Sequence, residues 1–135
     1  MMKKELTLHS YFDVVQSLQP ETQCPACSQR DRMETLALTA TLDALAENDK
    51  RMQAALKTST GLCLPHLRRA FELARDETAF EALRAITREQ VAALKNDLDE
   101  FIRKNDYRFN KEGFGPEGNS WWRALAWMVG AKGVR

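Results

Sequence analysis

The sequence predicts an all-α fold, a single-domain helical bundle of about five to six helices spanning residues 1–135. Three observations carry this. Ala, Leu, Glu, Arg and Lys dominate, and six glycines and four prolines in 135 residues leave few places for a helix to break. Apolar residues recur at three- and four-residue spacing, and no run shows the period-two alternation of a half-buried strand. The chain is long enough to bury a core without disulfides.

In order, Leu8, Phe12, Val15 and Leu18 predict a short first helix that stops before Pro20, whose ring pushes Gln19 toward extended backbone. Glu21 to Cys27 then reads as a loop, with Pro25 stiffening the turn between two thiols. A second helix is expected from about Ser28 to Glu47 through Met33, Leu36, Ala37, Ala40, Leu42, Ala44 and Leu45. Its C-terminal half is apolar nearly all round, which predicts burial by several neighbours. Asn48-Asp49 reads as a break and N-cap for a third helix with Met52, Ala55 and Leu56 inside, and Thr58 to Gly61 as a turn.

Pro65 suits the first turn of a fourth helix striped by Leu67, Ala70, Phe71 and Ala74. The longest helix is expected at about 78–104. There Phe80, Leu83, Val91, Leu94, Leu98 and Phe101 keep close to a seven-residue beat, with Thr87 at one inward position. Residues 105–118 form a glycine-punctuated loop, and Asn119 or Ser120 caps a last, Trp-rich helix at about 119–131.

Twenty basic against nineteen acidic residues leaves a formal charge of +1, so there is no overall pull toward nucleic acid or anionic lipid. No apolar stretch approaches a membrane span. Met1-Met2-Lys3-Lys4 looks like a signal-peptide n-region, but Glu5, His9 and Asp13 interrupt any apolar segment behind it, so export by that route is not expected. Three cysteines, an odd number, fit a reducing cytoplasm better than a disulfide framework.

Those three cysteines fall in two short motifs, Cys24-Pro25-Ala26-Cys27 and Cys63-Leu64-Pro65-His66. Zinc prefers four nitrogen or sulfur ligands in a tetrahedron, and a two-residue gap lets both members of a pair point inward. Cys63 and His66, at i and i+3, share one face of a helical turn. Cys24, Cys27, Cys63 and His66 are therefore the expected ligands of a structural zinc, clamping the exit of the first helix to the start of the fourth. An iron–sulfur cluster with one histidine ligand, or a redox-active Cys24/Cys27 pair, would use the same side chains. No βαβ pattern surrounds the pair as in thioredoxin-like domains, and a site with three thiolates and four protein ligands looks closed to catalysis. His9 is more simply a surface histidine.

The loop Arg103-Lys104-Asn105-Asp106-Tyr107-Arg108-Phe109 interleaves cations with aromatics, a pattern that stacks on bases or clamps phosphates. Asp106, Glu112 and Glu117 dilute its charge, which disfavours nucleic acid. In the last helix Trp121, Leu125 and Met128 share a face, Trp122 and Val129 lie beside it, and Trp127 points elsewhere. That face either packs into the bundle or forms a patch for a protein partner or a homo-oligomer.

Taken together, Cys24-Pro25-Ala26-Cys27, Gly61-Leu62-Cys63-x-x-His66, the run from Phe101 to Phe109 and Gly118-Asn119-Ser120-Trp121 resemble an uncharacterised family of small prokaryotic helical proteins. That family is marked by CxxC and CxxH motifs, a DYRF-like loop and a Ser-Trp helix start. The resemblance implies that Cys24, Cys27, Cys63 and His66 act together, and supplies no reaction. The expected function is that of a non-enzymatic, cytoplasmic zinc-binding protein acting as a partner-interaction or regulatory module. The alternatives are a thiol or iron–sulfur redox sensor, and an enzyme or binder of an anionic ligand at Arg103, Tyr107, Arg108 and the start of the last helix.

Overall fold

A computed structural model describes residues 13, 14, 16, 22 and 24–130, apart from the side chain of residue 110. The predicted first helix lies outside these residues except for Asp13, Val14 and Gln16, which are helical. The fold is all-α: α1 (Pro25–Ala46), α2 (Lys50–Thr58), α3 (Leu64–Leu73), α4 (Glu77–Lys104) and α5 (Ser120–Val129), with 3-10 turns at Asn110–Glu112 and Pro116–Asn119. No strand occurs among the described residues. The chain divides into two compact units, Met1–Glu34 and Thr35–Arg135. The core belongs to the second.

α1 begins three residues earlier than expected, at Pro25 and not in a loop ending at Cys27. The reason is local: proline lacks the N–H that a first helical residue leaves unused, and its φ is already helical. The helix ends with Asn48 at φ 59°. Asn48 donates its N–H to Leu45 O and Asp49 donates to Ala44 O, closing the last carbonyls of α1 in a Schellman motif. Asp49 then starts α2, its carboxylate accepting from the N–H groups of Arg51 (2.7 Å) and Met52 (3.4 Å).

The core comprises Leu38, Leu42 and Leu45 of α1, Leu56 of α2, Leu67 and Ala70 of α3, and Ala79, Leu83 and Ile86 of α4. Ala70 and Ala79 are each 1% exposed, and such small side chains let backbones approach closely. The Phe71 and Phe80 rings pack beside them with centroids 4.9 Å apart. The all-round burial expected of α1 is not found. Only the 38-42-45 stripe is buried, while Leu36 stays exposed. Alanine and threonine occupy most of the remaining faces and lose little in water.

The beat of α4 also differs from expectation by one residue in its first half. Ala79 and Ile86 are the buried partners of Leu83, in place of Phe80 and Thr87, and Val91 is exposed. The N-terminal half of α4 packs against α2, whereas its C-terminal half meets α5 and the second 3-10 turn, leaving no fully buried residue beyond Ile86.

The loop after α4 closes on an ion pair. Lys104 Nζ lies 2.7 Å from Glu117 Oε1, which also accepts from Gly115 N–H at 2.7 Å, and Glu117 is 6% exposed. Lys104 first, and then the Gly115 N–H, hold the Glu117 carboxyl down at about 2. Asn119 is the N-cap residue of α5, as expected, but makes no side-chain cap bond, and Ser120 Oγ is fully buried without a partner among the described residues. Since the folded pKa of Glu117 lies below its ordinary 4.5, its stabilisation is complete above that value and declines as pH falls toward 2. Thermal melts in this range should therefore show a steeper loss for the wild type than for Glu117→Gln, with the two melting temperatures converging in acid.

Candidate metal and ligand site

Cys24 stands immediately before α1, and its carbonyl accepts the Ser28 N–H at 2.9 Å, so it occupies the N-cap position. The sulfur is exposed. The N–H of Cys27, then that of Ala26, stabilise the thiolate and hold its pKa below the ordinary thiol range, against a smaller opposing effect of desolvation. Cys27, three residues on, is half-buried.

Cys63 is built the same way. It precedes α3 with extended backbone (φ -66°, ψ 159°), its carbonyl accepts the Leu67 N–H at 2.8 Å, and Pro65 sits in the first turn. His66 lies one turn along, with Nδ1 3.2 Å from Cys63 Sγ. Zn–S and Zn–N bonds of about 2.3 and 2.0 Å at a tetrahedral angle require a donor separation of about 3.5 Å. The Cys63–His66 pair is within a few tenths of an ångström of that bite. Both motifs thus place a cysteine at the N-cap and the second donor at the third helical residue.

The approach to Cys63 is fixed by a residue the sequence reading passed over. Gln90 of α4 donates its amide N–H groups to Leu56 O (2.7 Å) and Ser59 O (3.2 Å), tying down the end of α2. Gly61 passes directly under that amide at φ 73°, where a Cβ would collide with it. On the other side Gly130, at φ 71°, closes α5, and a Cβ there would lie 3.2 Å from Cys63 Sγ. Gln90 falls seven residues after Leu83 and seven before Asp97. Polar residues on an apolar beat were the available signal.

The two Cys/His pairs belong to different units, Cys24 and Cys27 to the first and Cys63 and His66 to the second. Among the described residues no group of three or more His, Cys, Asp or Glu side chains is assembled for a metal. Within the second unit, Cys63 and His66 border a cavity of about 540 Å³. Val91 and Leu94 of α4 and Ala126 and Trp127 of α5 supply apolar wall; Lys57, Gln90 and Arg123 supply polar groups.

The other candidates separate. Arg103 pairs with Glu100 and Glu112, which raise its pKa, and lies 4.7 Å from the centroid of the Phe109 ring. Arg108 pairs with Asp106 at 2.7 Å. Both guanidiniums are thus neutralised within their own loop, and Tyr107 is 82% exposed. Trp127 packs against the core, whereas Trp121, Trp122, Leu125, Met128 and Val129 are between 44% and 67% exposed.

Residues 2–134 match a family of unknown function, DUF6062. The chain belongs to that family. Comparison with curated proteins and with solved structures gave no match. The uncharacterised helical family anticipated from the motifs is consistent with DUF6062, whose description assigns no reaction or ligand. No helix among the described residues is long and apolar enough to cross a membrane.

Alanine at either left-handed glycine beside Cys63 is expected to destabilise the protein, since a β-carbon is strained at positive φ and meets a neighbour here. Denaturant melts of Gly61→Ala and Gly130→Ala should each show a loss of about 1 kcal/mol or more.

Proposed function

We propose that this protein is a non-enzymatic, cytoplasmic zinc-binding module in which Cys24, Cys27, Cys63 and His66 hold a structural metal. The observation that supports the reading most is the shared construction of the two pairs: N-cap thiol, second donor at the third helical residue, proline in the first turn. Helix N-termini favour thiolate over thiol, which is the form zinc binds. Cys24 already has its thiolate stabilised by two N–H groups. Binding of a structural metal adds to folding free energy, so its main effect is on stability.

Freshly purified protein should contain about one zinc ion per chain, and Cys24→Ser and Cys63→Ser should each release it. Metal loss should lower the melting temperature by roughly 5 °C or more in a domain this size. Metal-free protein whose melting is indifferent to both substitutions would end the proposal. A second reading, a Cys24/Cys27 thiol switch, draws on the exposed and stabilised Cys24 thiolate. It requires a reversible disulfide between these residues in zinc-free protein; thiol counts unchanged across glutathione poises would discard it.

The partner surface is assigned to the outer face of α5, and the occupant to a second copy of the chain. Trp121, Trp122, Leu125, Met128 and Val129 form an apolar stripe without a charged residue, so nothing on it selects an oppositely charged partner. An uncharged stripe is self-complementary, which suits an isologous two-fold contact. Light scattering at about 100 µM should report a dimer for wild type and a monomer for Leu125→Glu, since a dimer with a dissociation constant of about 1–10 µM is mostly assembled at this concentration. A monomeric wild type would remove this assignment.

A further inference from the structure

We propose that the cavity between α2, α4 and α5 is a binding site for a small organic anion with an apolar body, such as a medium-length monocarboxylate. The inference stands apart from the metal reading, since it uses cavity walls in the second unit that neither Cys24 nor Cys27 lines.

Size comes first. At about 540 Å³ the space falls within the range of about 300–1,000 Å³ typical of small-molecule sites, which are mostly apolar with a few convergent polar groups. Here Leu62, Val91, Leu94, Ala126 and Trp127 provide the apolar wall.

Charge decides the class of ligand. Nineteen acidic residues occur in the chain, yet among the described residues no Asp or Glu lines the cavity, whereas Lys57 and Arg123 both do. The carboxylates that pair with them, Glu89 and Asp97, stand outside the lining. Lys57 is only loosely engaged, at 3.9 Å from Glu89. Arg123 donates from Nε to Asn119 (2.9 Å) and from Nη2 to Asp97 (2.7 Å) and Pro116 O (3.3 Å), so the guanidinium is held in place while Nη1 has no bond among the described residues. A fixed guanidinium with a spare N–H edge is suited to a carboxylate. The α3 N-terminus at the same rim adds partial positive charge.

The test uses the full chain and sodium decanoate, with decanol and decylamine as neutral and cationic probes of equal chain length. Calorimetric titration should give one decanoate site per chain, with decanol and decylamine at least ten-fold weaker. Lys57→Gln and Arg123→Gln should each raise the dissociation constant about ten-fold, and Ala126→Trp, which fills the space, should abolish binding in a protein that still melts cooperatively. If Ala126→Trp does not fold, Val91→Trp on the opposite wall replaces it. Leu36→Ser, on the exposed face of α1, should leave binding unchanged. Equal affinity for decanol, binding that survives the filled cavity, or binding lost with Leu36→Ser would each overturn the proposal. Cys24→Ser should bind decanoate as wild type does, whatever its metal content, so that a failure of the zinc reading and a failure of this one are told apart.

Discussion

The carboxamide of Gln90 is the contact on which the candidate site depends. It reaches from the middle of α4 to two carbonyls at the end of α2, and so occupies acceptors that a helix terminus would otherwise leave to water. Each such bond contributes only about 1 kcal/mol net, but the geometric consequence is larger. With the end of α2 fixed, the chain must turn beneath the amide at Gly61, and Cys63 follows within two residues as the N-cap of α3. The same amide lines the cavity. One polar side chain therefore sets the thiol, the start of the helix that carries His66, and part of the wall beside them.

Helix existence was legible in the sequence because it depends on near-neighbour chemistry. Asn48-Asp49 ends one helix and starts another through bonds made within five residues, and Pro65 marks the first turn of α3 for the same reason. The pairing of Cys63 with His66 was likewise visible, since i and i+3 share a helix face. Which apolar residues become buried was less legible. The α4 stripe runs through Ala79 and Ile86, which are buried beside Leu83, whereas a stripe chosen for bulk selects Phe80 instead. Proline is ambiguous at Pro25, which the sequence places in a loop, although proline at the first helical residue is as natural as proline between helices.

Charge was the least legible property, because pairing is decided by geometry over a few ångströms. Arg103 and Arg108 stand in an aromatic, cation-rich stretch, yet the carboxylates of Glu100, Glu112 and Asp106 reach them from within the same segment. Exposed pairs of this kind add little stability, but they do remove the field that would attract a polyanion. Lys57 and Arg123 are also paired, with Glu89 at 3.9 Å and Asp97 at 2.7 Å, but those carboxylates stand outside the cavity lining. Both cations are isolated in sequence and unremarkable there. They line one cavity because α2 and α5 both pack on α4.

α5 has two faces with different surroundings, and this links the proposals made for them. Its inner face contributes Arg123, Ala126, Trp127 and Gly130 to the cavity, and Gly130 touches Cys63. Its outer face carries the exposed Trp121, Trp122, Leu125, Met128 and Val129. A ten-residue helix is too short to bend between these faces, so any displacement of one side is transmitted to the other as rigid-body motion. A second chain docked on the outer stripe and an anion held at Arg123 would then act on the same body. Coupling of this kind needs no long pathway, because one helix separates the surfaces concerned, and its strength is set by how differently each ligand binds the helix in its alternative positions.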